Sequence, residues 1–222
     1  MLIEKAEKFV EECLKGDCSG HDLEHIKRVV LNAKKILEVE KEADEKVVLL
    51  SALLHDVDDY KLGGDGGNLE RFFDINGVDE SLRGKVREVI ENISFSKSGD
   101  KPCFVSLEQK IVSDADKLDA MGAVGVCRTV MYSAVTKRAL FDENEFPVKN
   151  LSKEEYKNKN RKSNHSVNHF FDKLLKLKGA MQTDMGKKMA EERHLFMVKF
   201  LKEFFREVDA QAKWGEILGE FE

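Results

Sequence analysis

The chain has 222 residues, with 37 Lys and Arg against 42 Asp and Glu, a formal net charge of −5. That balance disfavours nucleic acid as a partner but leaves room for a small phosphate held by a few local cations. With 41% hydrophobic residues and only 2 Pro, a single domain over 1–222 is expected, its core at about 19–135 and its C-terminal helices, about 165–209, packed on it.

Apolar residues recur at helical spacing and period-two alternation is nearly absent, which predicts an all-α protein, a helical bundle. The first helix is expected over Leu2–Lys15, closed by Gly16. A second is expected over Asp22–Glu40, where Leu23, Ile26, Val30, Ala33, Ile36 and Leu37 form one stripe and Ser19 is available as the cap. The third, Asp44–Asp56, is apolar almost all round from Val47 to Leu54, which suits the centre of a bundle. Val57–Gly67 carries four glycines and predicts a loop. Asn68–Asn76 and Asp79–Ser94 follow as helices, then a polar connection containing Pro102. Leu107–Leu118 and Ala120–Thr136 resume the pattern, with Gly122 and Gly125 expected to permit close helix packing. The charged, Asn-rich stretch 137–164 reads as a long mobile excursion, and helices His165–Lys178 and Gly186–Asp209 close the series.

No apolar stretch approaches the roughly 20 residues that cross a bilayer. The segment Met1-Leu2-Ile3-Glu4-Lys5-Ala6-Glu7 is charged where a signal peptide is apolar, so a cytoplasmic protein without membrane contact is expected. Cys13, Cys18, Cys103 and Cys127 form no CxxC pair, which indicates reduced thiols, and Cys127 reads as a small buried residue. Phe170, Phe171, Leu174 and Leu177, then Met189, Phe196, Met197, Phe200, Leu201, Phe204 and Phe205, have helical spacing and read as core.

Three clusters carry chemistry. His21 and His25 share one face of the second helix. His55-Asp56 ends the most apolar helix, where ionisable groups are costly to bury; a helix terminus in which His55 reaches the last carbonyls and Asp56 faces water explains the pair equally well. Asp114, Asp116 and Asp119 lie among Ile111, Ala115 and Leu118, so one helix cannot turn all three carboxylates to solvent and still bury its apolar face. A divalent cation would resolve that conflict, because it neutralises buried carboxylate and accepts imidazole nitrogen from other helices.

The order His25, His55-Asp56, Asp116 resembles the signature of the HD-domain phosphohydrolases. The blocks HDLEHIKRV at 21–29, LLHDVDDYK at 53–61, DADKLDAMGAVGVCRT at 114–129 and HFFDKLLKL at 169–177 are similar to the small bacterial HD-domain nucleotide pyrophosphohydrolases. In that branch a hydroxyl residue commonly precedes the first His-Asp pair, whereas Gly20 stands there in this chain. The resemblance implies one mononuclear site with His25, His55, Asp56 and Asp116 as ligands, Asp116 being chosen because it alone stands directly before a basic residue and Leu. Asp114 and Asp119 are then bystanders or ligand supports. The implied cofactor is one divalent ion, Mn first, with Fe, Co, Ni, Zn and Mg as alternatives.

Such a site implies metal-assisted hydrolysis of a phosphate ester or anhydride, in which a metal-activated water attacks phosphorus. Asp59, four residues after His55, would reach the same side if the helix continues and relay a proton; as one of three acids at a loop start it is equally a solvated side chain. Lys61 is the expected phosphate partner; His21, Lys117, His169, Lys173 and Arg193 are further candidate substrate contacts, the three cations reading equally as exposed helix-face charges and His21 as a partner of Asp22 or Glu24. Gly63–Gly67 lacks the GxxxxGK[ST] order and is not a P-loop. The expected activity splits a nucleoside triphosphate into monophosphate and pyrophosphate. Alternatives are a nucleoside 5'-monophosphate phosphatase or phosphodiesterase on the same site, or a non-catalytic nucleotide sensor. Oligomeric state is left open, a homodimer included.

Overall fold

The structure is a computed structural model that describes residues 1–14, 22–58, 66–93, 104–148 and 165–222. Regular structure among the described residues is helical throughout, as the periodicity requires. The chain forms two compact units, Met1–Asp119 with Gln182–Gly186, and Ala120–Met181 with Lys187–Glu222.

The first unit contains α1 (Leu2–Cys13), α2 (Leu23–Leu37), α3 (Glu45–Leu54), α4 (Asn68–Ile75), α5 (Glu80–Ile93) and α6 (Leu107–Asp119). Every residue of α3 from Val47 to Leu54 is buried, and α1, α2, α5 and α6 all pack on it. The apolar sequence of α3 thus supplies the centre, and helices with one apolar stripe surround it. The start of α2 is capped by Asp22, whose carboxylate accepts from the His25 N–H at 2.8 Å. The cap is therefore one residue before the helix and acidic, while the expected cap Ser19 lies outside the described residues. Asp44 caps α3 by accepting from Val47 N–H at 3.2 Å.

Helix α3 ends at Leu54 with His55 as its C-cap, two residues short of the expected end. Asp58 accepts from the N–H groups of Asn68 and Leu69 at 2.7 and 3.2 Å, and Asn68 Nδ2 donates to the Val57 carbonyl at 3.0 Å. These bonds satisfy the start of α4, where the N-cap, Gly67, has no side chain and a φ of 96°. Residues 59–65, most of the expected glycine loop, lie outside the described residues.

The second unit holds α7 (Gly122–Val135), α8 (Ser166–Asp172), a 3₁₀ segment at Leu174–Ala180, most of α9 (Asp184–Glu207), and α10 (Gln211–Gly219). The expected continuous helix His165–Lys178 is broken at Lys173, whose φ and ψ of −137° and −59° are not helical. Gly122, at φ 71°, sits where an added Cβ would lie 3.1 Å from Arg193 Cγ, so it does allow close approach of α9. Gly125 does something else: its missing Cβ clears the carbonyl oxygen of Ala120, only 2.2 Å from where that atom would be. Cys127 is exposed, not buried, because α7 turns Gly125, Val126, Thr129 and Ser133 inward and residue 127 falls on the other side. Phe196 is likewise exposed, whereas Met197, Leu201 and Phe205 are core as expected.

Helix α10 was not expected; Trp214 anchors it, stacked on Phe205 at 5.3 Å and touching Phe141 and Phe171. Residues 137–148 form no helix, and the rest of the expected excursion, 149–164, lies outside the described residues. His165 caps α8, its Nδ1 accepting from Asn168 N–H at 3.2 Å while Nε2 donates to the Glu145 carbonyl at 2.8 Å.

Candidate metal centre

His25 lies in the first turn of α2, on the face that meets α6. Arg28 and Asn32, three and seven residues on, share that face, and Asn32 Nδ2 donates to the Ala115 carbonyl of α6 at 3.0 Å. His55 sits at the end of α3, where its Nδ1 donates to the Ala52 carbonyl at 3.0 Å. A carbonyl only accepts, so the proton is on Nδ1 and Nε2 presents a lone pair. That Nε2 is buried and has no hydrogen-bond partner. One nitrogen of the ring thus reaches a helix carbonyl, as the helix-terminus reading expects, and the other points at the cluster, while Asp56, 13% exposed, does not face water as that reading required.

Four donor atoms converge. His25 Nε2 lies 3.4 Å from Asp56 Oδ2 and 3.6 Å from Asp116 Oδ1. His55 Nε2 lies 3.4 Å from Asp56 Oδ2 and 3.9 Å from Asp116 Oδ1. The donors of His25, His55 and Asp56 all fall within 4.8 Å of one another, and the two imidazole rings meet edge to face at 5.5 Å. At metal–ligand distances of about 2.1 Å, neighbouring ligand atoms lie about 3.0 Å apart in an octahedron and about 3.4 Å apart in a tetrahedron. The observed separations exceed direct hydrogen bonds and fit the edges of a slightly open coordination shell. Mixed nitrogen and oxygen donors, together with an orphaned buried imidazole nitrogen, fit a divalent transition ion.

The four side chains differ in exposure. Side-chain exposure is 1% for His25, 6% for His55 and 13% for Asp56, but 41% for Asp116. Asp116 is the most exposed of the four.

The three carboxylates of α6 separate by function. Asp116 faces the imidazoles. Asp114 is fully buried and accepts from the N–H groups of Gln182 and Thr183 at 3.0 and 2.7 Å, and from the Thr183 hydroxyl at 2.8 Å. Burial pushes its carboxyl up, and those hydrogen bonds pull it back. Asp119 accepts from His25 Nδ1 at 2.7 Å and from Arg28 Nε at 2.6 Å. Sequence reasoning missed Arg28; the available signal was its position three residues after His25 on one helix face.

Lys117 reaches Ser113 Oγ and lies 5.1 Å from the centroid of the Phe104 ring; burial holds its ammonium below the usual lysine range. His21, Asp59 and Lys61 lie outside the described residues. The end of α3 at Leu54 removes the continued helix on which the placement of Asp59 relied. His169, Lys173 and Arg193 belong to the second unit; the expected substrate roles of His169 and Lys173 rest on the block at 169–177, and Arg193 lies outside the four blocks. His194 there donates from Nε2 to the Phe221 carbonyl at 2.6 Å, a structural role.

No helix among the described residues is long and apolar enough to cross a membrane. The HD domain family matches residues 22–121, which include all four converging side chains. The Bacillus subtilis protein YpgQ is 33% identical over 212 residues, covering 92% of this chain and 93% of its own; its structure in complex with ADP superposes with a TM-score of 0.71, covering 93% and 97% of the two chains at 27% identity. A Lactobacillus plantarum structure matches with a TM-score of 0.80 and 31% identity over 94% of this chain and 97% of that one. An HD-superfamily hydrolase from Bacillus thuringiensis matches with a TM-score of 0.71 and 34% identity, again over 94% and 97%. With the helical fold, the His/Asp cluster and these relatives in agreement, the chain belongs to the HD-domain family and is a metal-dependent phosphohydrolase.

Proposed function

We propose that the enzyme hydrolyses nucleoside triphosphates to monophosphate and pyrophosphate, with His25, His55, Asp56 and Asp116 holding one Mn²⁺. The observation that carries the metal assignment is the approach of four donor atoms to within 3.4–3.9 Å across the imidazole–carboxylate pairs. The nucleotide reading is supported by the likeness to YpgQ, whose structure has been determined with ADP, and by the pyrophosphohydrolase-like sequence blocks.

A bound divalent ion would supply Lewis acidity toward a phosphoryl oxygen and the attacking water. The chain's own residues supply the rest. Ala52 and Asp119 hold the two imidazoles so that each Nε2 points inward. Asp56, mostly enclosed, keeps a carboxylate between both rings. Asp116, the most exposed of the four, is the proposed side of substrate approach. Asp59 is the proposed proton carrier and Lys61 the proposed phosphate partner; both follow Asp56 within five residues.

The test is a panel of nucleoside mono-, di- and triphosphates assayed with Mn, Mg, Co and Ni by colorimetric phosphate release, with and without added pyrophosphatase. Release from triphosphates that depends on pyrophosphatase supports the proposal. Equal release without it, or release from monophosphates alone, overturns it in favour of a phosphatase.

A further inference from the structure

Asp119 sits between two donors. Its Oδ2 accepts from His25 Nδ1 at 2.7 Å, and Arg28 grips both oxygens, Nε to Oδ1 at 2.6 Å and Nη2 to Oδ2 at 3.2 Å. The carboxylate is 2% exposed and His25 is 1% exposed, so water does not compete for these contacts. We propose that Asp119 and Arg28 are positioning residues that fix the ring tautomer of His25, the proton on Nδ1 and the lone pair on Nε2 toward Asp56 and Asp116. This rests on the proposed role of His25 as a ligand and adds the reason that it is competent to serve.

The argument turns on donor and acceptor identity. A carboxylate can only accept, so the imidazole nitrogen beside it must carry the proton. Arg28 restrains the carboxylate from rotating away by a forked, charge-assisted contact. An isosteric amide at residue 119 would read differently. Placing its NH₂ toward Arg28 Nε would oppose two donors 2.6 Å apart, whereas the reverse orientation opposes them across the longer 3.2 Å contact. Arg28 therefore turns the amide oxygen to itself and the NH₂ to His25. Nδ1 must then accept, and the proton moves to Nε2, which faces the ligand cluster. Asp119→Asn thus converts a metal ligand into a donor without changing the shape of the site. Removing Arg28 as well frees the amide to flip, so that its oxygen again faces His25.

The experiment measures two properties of the full chain: the His25 ring tautomer by long-range ¹H–¹⁵N correlation without metal, and binding of Mn²⁺ alone by equilibrium dialysis. The wild-type ring is expected as the Nδ1–H tautomer, a result that needs no variant to fold; an Nε2–H ring there overturns the proposal. Asp119→Asn, with its helical circular dichroism retained, is expected to show Nε2–H and to bind Mn²⁺ about 10–100-fold more weakly. The Arg28→Ala, Asp119→Asn double variant is expected to recover affinity relative to Asp119→Asn alone; a purely structural role for the pair predicts further loss and overturns the proposal. His25→Ala separates the two readings. If it binds Mn²⁺ like wild type, the ligand assignment fails; if it weakens binding while Asp119→Asn does not, only the positioning role fails.

Discussion

The ring of His55 spans its own helix end and the ligand cluster, with Nδ1 bonded to the Ala52 carbonyl at 3.0 Å and Nε2 facing Asp56 and Asp116 at 3.4 and 3.9 Å. One nitrogen completes α3 and the other is left for chemistry. His55→Ala should therefore remove a donor with little cost to the fold. Turnover is expected to fall at least about 10³-fold in His55→Ala, Asp56→Ala and Asp116→Ala, with helical circular dichroism kept. Turnover within a few-fold of wild type in any of them would take that residue out of the site.

Metal should stabilise the folded chain, since two carboxylates and two imidazoles converge there only when it is folded. At Mn²⁺ near 100 times its dissociation constant the gain is about 2.7 kcal/mol, seen as a higher Tm that chelator reverses. His55→Ala should show no such rise over the same concentration range. Equal shifts in the variant and the wild type would place the bound ion elsewhere.

Asp114 should matter for stability and not for ligation. Its carboxylate satisfies two backbone N–H groups and a hydroxyl at residues 182 and 183, and truncation leaves the two buried donors of Thr183 unmet. Asp114→Ala is expected to cost about 2–4 kcal/mol in chemical denaturation. Gly186→Ala should act at the same place, because its Cβ would lie 2.4 Å from Asp114 Oδ2. An unfolding midpoint unchanged in both would show that the contact contributes nothing.

His165 gives a pH signature in the second unit. Burial, the largest cause, lowers its pKa below the usual 6.5, while the Glu145 carbonyl and the charges of Glu145, Asp142 and Asp172 pull the other way. Its neutral form is favoured in the fold, so the unfolded chain binds more protons. The stabilising contribution is full above about pH 6.5 and is lost as pH falls below that value through the lower folded pKa. Trp214, whose ring is 5.7 Å from His165, reports this by fluorescence in denaturant titrations between pH 7.5 and 5. His165→Asn, which keeps a capping acceptor, should show a shallower loss; an identical slope would assign the acid sensitivity to other groups.

The helical class was legible because apolar spacing is a local property, and so was a candidate metal cluster at His25, His55 and Asp56. Ionisable residues inside apolar helices are rare enough that their burial demands a joint explanation. Less legible were features decided by tertiary direction. Three carboxylates of α6 read alike in sequence, yet one faces the imidazoles, one braces His25 and one holds residues 182–183, because α2 and the turn before α9 approach different sides of the helix. Cys127 was misjudged for the same reason: periodicity tells which residues share a face but not which face α7 turns inward, whereas Gly125 answers a local contact with the Ala120 carbonyl. The end of α3 lies at Leu54, short of the expected Asp56, since propensity fixes helix ends only loosely, and α10 is held by aromatic contacts of Trp214 distant in sequence.

The hold of Asp114 on residues 182 and 183 makes the first compact unit discontinuous along the chain. During synthesis its six leading helices emerge with a buried carboxylate still lacking partners, and those partners arrive about 70 residues later, several seconds at ~5–20 residues per second. Completion of the catalytic half is thereby tied to translation of most of the second unit. An excised fragment covering only residues 22–121 would lack both α1 and this late-arriving brace.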